Sequence, residues 1–320
     1  QKEYEGQRVR AAVLNLTKIR HPLCVLRLDR FISLGELMPH EHCRNQAQLT
    51  ILDTWEDAVA FARFNPIVFI SHQWLGTDEP DRNGVQYGAM VAACRALCSE
   101  RRIADPSLVY VWVDYLSIPQ ANADTKLASI ASIAVFVCCC KYFIVCAPDA
   151  LHADYGSQCN EKTYLCRGWC RVEQWAFMSM HGVDPMFLFG ARRQLTALES
   201  SKAWIEEFMV VMGGTFSVEA DKAVLVDVIL GLYGFAKVCQ THDAQAQDSP
   251  LPSPGAADLS DVGDATATDG HVAKASADAS ADEGERPVRS PPERPALGRS
   301  SSSRAYHAKA ISVLDLIKDN

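Results

Sequence analysis

The chain has 320 residues, 48% of them hydrophobic, and a formal charge of −8, with no Lys/Arg stripe interleaved with aromatics. That balance excludes a general nucleic-acid binder and supplies enough apolar surface for one large or two small domains. All 12 cysteines precede residue 240 and several lie inside apolar runs such as Cys138-Cys139-Cys140, which points to reduced, buried thiols in an intracellular, cytoplasmic protein. The opening residues do not follow a charged-then-apolar pattern, so a signal peptide is not expected among them. The longest apolar stretch, Ile130–Cys146, is broken by Lys141 and falls short of the ~20 residues that span a bilayer, so no membrane partner is expected.

Residues 1–65 read as an N-terminal extension packing on the core, with a strand at Cys24–Leu28 and a helix over Thr54–Phe64. Thr54 there offers a capping hydroxyl ahead of two first-turn acids. Pro66 ends the helix, and Ile67–Ser71 reads as a buried strand. A helix is expected over Val85–Glu100, a strand over Leu108–Asp114, a helical pattern over Asp124–Cys139 and a strand over Tyr142–Cys146. Past a loop, His152–Thr163, a helix runs from Arg167-Gly168-Trp169-Cys170-Arg171-Val172-Glu173 to about Met180, followed by a strand at Met186–Phe189 and helices over Ala197–Met212 and Val218–Val238. This alternation predicts an α/β domain over residues 66–240, a mainly parallel four- to five-stranded sheet flanked by helices. Residues 241–305 are rich in Asp, Ala, Ser, Pro and Gly and read as a disordered linker. The spacing of Ile311, Leu314 and Ile317 suggests a short amphipathic helix within 306–320, and this tail is where protein partners would bind.

Two buried strands end abruptly in polar groups, Ser71-His72-Gln73-Trp74 and Asp114-Tyr115, which is how open α/β sheets build ligand crevices. Trp169 and Glu173 stand one turn apart on a helix face. A carboxylate so placed can bond ribose hydroxyls and stabilise an oxocarbenium-like centre, while Arg167 or Arg171 can fork onto a phosphate. The plainer alternative is a first-turn acid on the helix dipole, two surface arginines and a core tryptophan. No metal is expected: neither His40-Glu41-His42-Cys43 nor the group Cys159, Cys166, Cys170 and His181 matches a paired Cys-x-x-Cys arrangement. The phosphate-loop, dinucleotide-fold, lipase-like and zinc-protease motifs are all missing from the sequence, so no bound cofactor is expected.

Phe69-Ile70-Ser71, Val111-Trp112-Val113-Asp114, the run from Tyr142 to Pro148, and Trp169-Cys170-Arg171-Val172-Glu173 follow one another in order. They resemble the first strand, second strand, later strand and Trp-Cys-x-x-Glu motif of TIR (Toll/interleukin-1 receptor) domains. Trp112, Asp114, Ile118 and Gln120 also resemble the Trp-Ile-Asp-x-x-Cys-Ile-Asn-Gln pattern of fungal heterokaryon-incompatibility domains, from which Ser117 and Pro119 depart. The resemblance covers about residues 65–190. It implies a flavodoxin-like, TIR-like fold, self-association, and a role in signalling or immunity. It further implies NAD as a substrate rather than a cofactor, cleaved at the nicotinamide glycosidic bond with Glu173 as the catalytic group. Trp169 would then shape the nicotinamide side, and Ser71, His72, Trp74, Asp114, Tyr115 and Arg171 would line the crevice. A second reading, a non-catalytic oligomerising protein-interaction module, is supported by the loop after Asp114, which lacks the family's usual glycine.

Overall fold

One mixed sheet organises the molecule, a computed structural model that describes residues 2–16, 18–198, 210–223 and 225–234. The linker expected over 241–305 and the helix expected within 306–320 lie outside the described residues. Four strands, β3 (Ile67–His72), β4 (Tyr110–Trp112), β5 (Tyr142–Cys146) and β8 (Met186–Phe189), run parallel. Antiparallel strands widen the sheet on both sides, β1 (Leu23–Arg27) and β2 (Leu49–Leu52) beyond β4, and β9 (Leu195–Ala197) beyond β8. The spatial order is β2-β1-β4-β3-β5-β8-β9. Numbered in chain order, the four parallel strands therefore lie 2-1-3-4, as in an open flavodoxin-like sheet. The expected mainly parallel sheet is present, and it has seven strands rather than four or five because residues 1–65 supply β1 and β2 and the chain after β8 turns back as β9.

β3 and β5 are buried along their whole length, which explains why they read as continuous apolar runs rather than alternating ones. On one face α5 (Val85–Glu100) packs against Val68, Ile70 and Ile144. On the other, α8 (Ile133–Cys138) and α10 (Gly168–His181) cover Phe69, Trp112 and Phe143. These three aromatics occupy matched register positions on neighbouring strands. Phe69 stacks on Trp112 at 4.3 Å and on Phe143 at 5.3 Å between centroids, so the rings form a ladder across the sheet centre.

Local departures from the expected elements have identifiable causes. The helical pattern over 124–139 divides into α7 (Ala123–Ile130) and α8, because the Ser132 hydroxyl between them donates to Ala128 O and accepts the Arg20 N–H, both at 2.9 Å. The strand expected over Leu108–Asp114 shortens to β4, since Asp105 caps a 3-10 turn at Pro106–Leu108 and Asp114 opens the short helix α6 (Asp114–Ser117). The loop expected over His152–Thr163 contains most of a small hairpin, β6 (Ala150–Leu151) with β7 (Gln158–Cys159), and leads into α9 (Glu161–Leu165), which Asn160 and Thr163 close with a capping box. The helix expected over Ala197–Met212 starts instead in β9 and ends in a 3-10 turn at Val211–Gly213; residues 199–209 lie outside the description. Helical residues 221–223 and 225–234 fall within the last expected helix.

Truncating the middle of the aromatic ladder removes contacts with both neighbours. Phe69→Ala is expected to lower unfolding free energy by about 3–5 kcal/mol in denaturant titration. Ile51→Ala, on the exposed edge strand, serves as the reference and should change it little.

Candidate functional site

Strand alternation gives the last two residues of β3 opposite duties. Ser71 shares the face of Phe69 and meets α10, where its hydroxyl donates to Glu173 Oε2 at 2.5 Å. The Tyr164 hydroxyl of α9 lies 2.7 Å from Ser71 Oγ. Ser71 has one proton and spends it on Glu173, so Tyr164 must be the donor in this second bond. Glu173 is 8% exposed, and Tyr164 and Ser71 are buried beside it. Burial pushes the Glu173 carboxyl up to about 8; Ser71 and His72 pull against that shift and Asp114 adds to it.

His72 shares the other face and meets α5. Its Nδ1 faces Gln86 Oε1, whose amide orientation is fixed because Gln86 Nε2 donates to Gln73 O at 2.5 Å. Its Nε2 lies 2.8 Å from Asp114 Oδ1. Both ring nitrogens thus face acceptors, an arrangement that suits the imidazolium. Burial opposes charging of His72, but Asp114, Gln86 and Glu173 outweigh it and hold the ring above its usual value. Burial would likewise raise Asp114, yet His72, the Trp74 indole N–H at 2.7 Å and the Tyr115 amide at 2.6 Å hold its carboxyl below the usual range. Trp74 and Tyr115, both half-buried, meet edge to face at 5.8 Å.

Six of the residues singled out in the sequence therefore converge: Ser71, His72, Trp74, Asp114, Tyr115 and Glu173. They gather at the carboxyl ends of β3 and β4, beside β5. The connections after β3 and β5, the first and third parallel strands, leave toward opposite faces of the sheet, which makes their carboxyl ends the topological switch point, where open α/β sheets hold ligands. The other two are engaged elsewhere. Trp169 donates its indole N–H to Asp221 at 2.8 Å, and Arg171 donates to Leu165 O at 2.7 Å and Val210 O at 2.8 Å. Together with Arg167, bonded to Ser217 at 2.8 Å, they brace residues 210–221 against the start of α10. Gly168 admits that segment: a Cβ there would stand 1.9 Å from the Phe216 ring.

Cys170 is buried and burial pushes its thiol well above the usual range, so it is packing rather than a nucleophile. Gln73, from the polar strand end, joins the network, and Gln86 and Tyr164, which the sequence did not single out, complete it. Their one signal is that polar groups occupy positions the fold buries, which requires the fold to see. Among the described residues no group of three or more His, Cys, Asp or Glu side chains could hold a metal ion, and no helix is long and apolar enough to cross a membrane. Comparison with known proteins finds no matching family model, curated protein or solved structure.

Chemically, the site places a carboxyl that is neutral at pH 7 beside a carboxylate–imidazole pair in which each partner favours the charged form of the other. A folded-state value of about 8, above the ordinary 4.5, means that the folded protein binds this proton more tightly than the unfolded chain. The stabilisation is complete below about pH 4.5 and is lost as pH rises through about 8. Glu173→Gln keeps the shape and removes the titration. Wild-type unfolding free energy should fall more steeply than that of Glu173→Gln between about pH 5 and pH 8, measured by urea titration at each pH.

Proposed function

We propose that the chain is a TIR-like signalling or immunity module that hydrolyses NAD at its nicotinamide glycosidic bond. The observation that carries this reading is the placement of the Glu173 carboxyl against Ser71 at the carboxyl end of β3, next to the switch point of the sheet. A carboxyl with a value near 8 gains or loses its proton close to neutral pH, the range in which acid–base groups serve catalysis. Ionised, it would accept the ribose hydroxyls and stabilise the positive charge that develops as the C–N bond to nicotinamide breaks. The C–N electron pair leaves with the nicotinamide nitrogen, and water adds to the anomeric carbon and loses a proton, giving nicotinamide, ADP-ribose and H+. His72 would hold Asp114 in place rather than touch the substrate, since both its nitrogens are committed. The aromatic edge falls to Trp74 and Tyr115, because the Trp169 indole is bonded to Asp221. A cytoplasmic setting accords with the described cysteines, which are free and, apart from Cys166, buried.

One observation favours the second reading, a non-catalytic module that signals by self-association. Glu173 is 8% exposed and bonded to Ser71, which itself meets Tyr164, as a packing constraint would be. Incubation of the purified protein with NAD separates the two. The enzymatic reading expects nicotinamide release that falls by about a hundredfold or more in Glu173→Ala and Glu173→Gln. Equal rates in wild type and both variants would contradict it. Absence of release at every protein concentration, with light scattering that rises with concentration, would establish the second reading instead.

A further inference from the structure

The helix containing residues 225–234 lies close against α1 (Lys2–Asn15): a Cβ on Gly231 would meet Ala12 O at 2.6 Å, and one on Gly234 would meet the Val9 side chain at 2.5 Å. Beside this contact, and against Trp175 of α10, runs a groove of about 470 Å³. Val9, Trp175, Val226, Ile229 and Tyr233 line it, with Arg8 among them. Val226 is 46% and Tyr233 53% exposed, so this helix presents an apolar surface on its outer side. Exposed apolar grooves of this kind are where partners bind.

The chain carries a segment of matching chemistry. Tyr306, Ala310, Val313, Leu314 and Ile317 recur at i, i+4, i+7, i+8 and i+11, one continuous face of an α-helix. Asp315 and Asp319 fall on the opposite, solvent side of such a helix. A helix over 306–317 would be about 18 Å long. Residues 235–305 follow the described part of the helix that lines the groove, and their contour at ~3.3 Å per residue far exceeds the return distance.

We propose that residues 306–317 dock as an amphipathic helix in this groove of their own chain, with Leu314 and Ile317 against Val226 and Tyr233. Because the segment is tethered, docking is intramolecular and does not depend on protein concentration. This inference is independent of NAD turnover.

Hydrogen exchange on the full chain tests it. In the wild type, residues 306–317 and 225–234 should both be protected, and equally so on dilution. Leu314→Asp/Ile317→Asp, outside the α/β domain, should speed exchange in both segments by at least about tenfold while the sheet strands stay unchanged. Val226→Asp should release 306–317 in the same way. Exchange of 306–317 at the rate of an unstructured peptide in the wild type would overturn the proposal. So would protection that disappears on dilution, which would make a second copy the occupant, or an unchanged 225–234 in the double variant.

Discussion

The hydrogen bond from Ser71 to Glu173 is the constraint around which the centre of the molecule is arranged. It joins the middle strand of the sheet to the helix that covers it, inside a layer otherwise filled by Phe69, Phe143 and Phe177. A carboxyl in such surroundings must be neutral or paired, because an isolated charge there would cost several kcal/mol. The protein keeps it neutral and gives it a hydroxyl donor, which Tyr164 supports in turn. The charged groups are placed on the opposite face of the same strand, where His72, Gln86 and Asp114 satisfy one another. One residue of offset along β3 thus separates the Ser71–Glu173 pair from the His72–Asp114 pair. That separation depends on register, and the register depends on the aromatic ladder two residues earlier.

Much of this was legible in the sequence where a single physical rule governs a segment. β5, α5 and β8 have the bounds expected from their apolar runs, and Thr54 caps α4 (Trp55–Phe64) by accepting the Asp57 amide at 3.1 Å. Legibility failed where the cause is remote in sequence. Ser132 breaks a helix because Arg20, 112 residues away, uses its hydroxyl. The antiparallel strands β1 and β2 gave no sign of their place in the sheet, since strand pairing leaves no local signature. Trp169 and Glu173 share a helix face by spacing, yet α10 sits between two layers. Glu173 turns to the sheet and Trp169 to Asp221 in the layer formed by residues 210–234, which could not be foreseen.

Several residues that carry the family resemblance have structural duties of their own. Trp112 is the outer ring of the ladder. Asp114 ties the end of β4 to His72 and Trp74. In the following turn, Glu41 accepts the amides of Gln120 and Ala121 at 2.7 and 2.8 Å, while the Gln120 side chain donates to Ile118 O at 2.7 Å. These residues would be needed to shape the strand ends whether or not the site turns over a substrate. Glu173 differs from them, since a buried carboxyl without a cationic partner costs stability as pH rises.

The arrangement of Ser71 and Tyr164 around Glu173 calls for a protonated carboxyl at neutral pH, and infrared difference spectroscopy between wild type and Glu173→Gln observes that group directly. A protonated-carboxyl C=O band should be present in the wild type at pH 7, absent from the variant, and lost only as pH rises through about 8. A band that disappears near the ordinary carboxyl value of 4.5 would contradict the account.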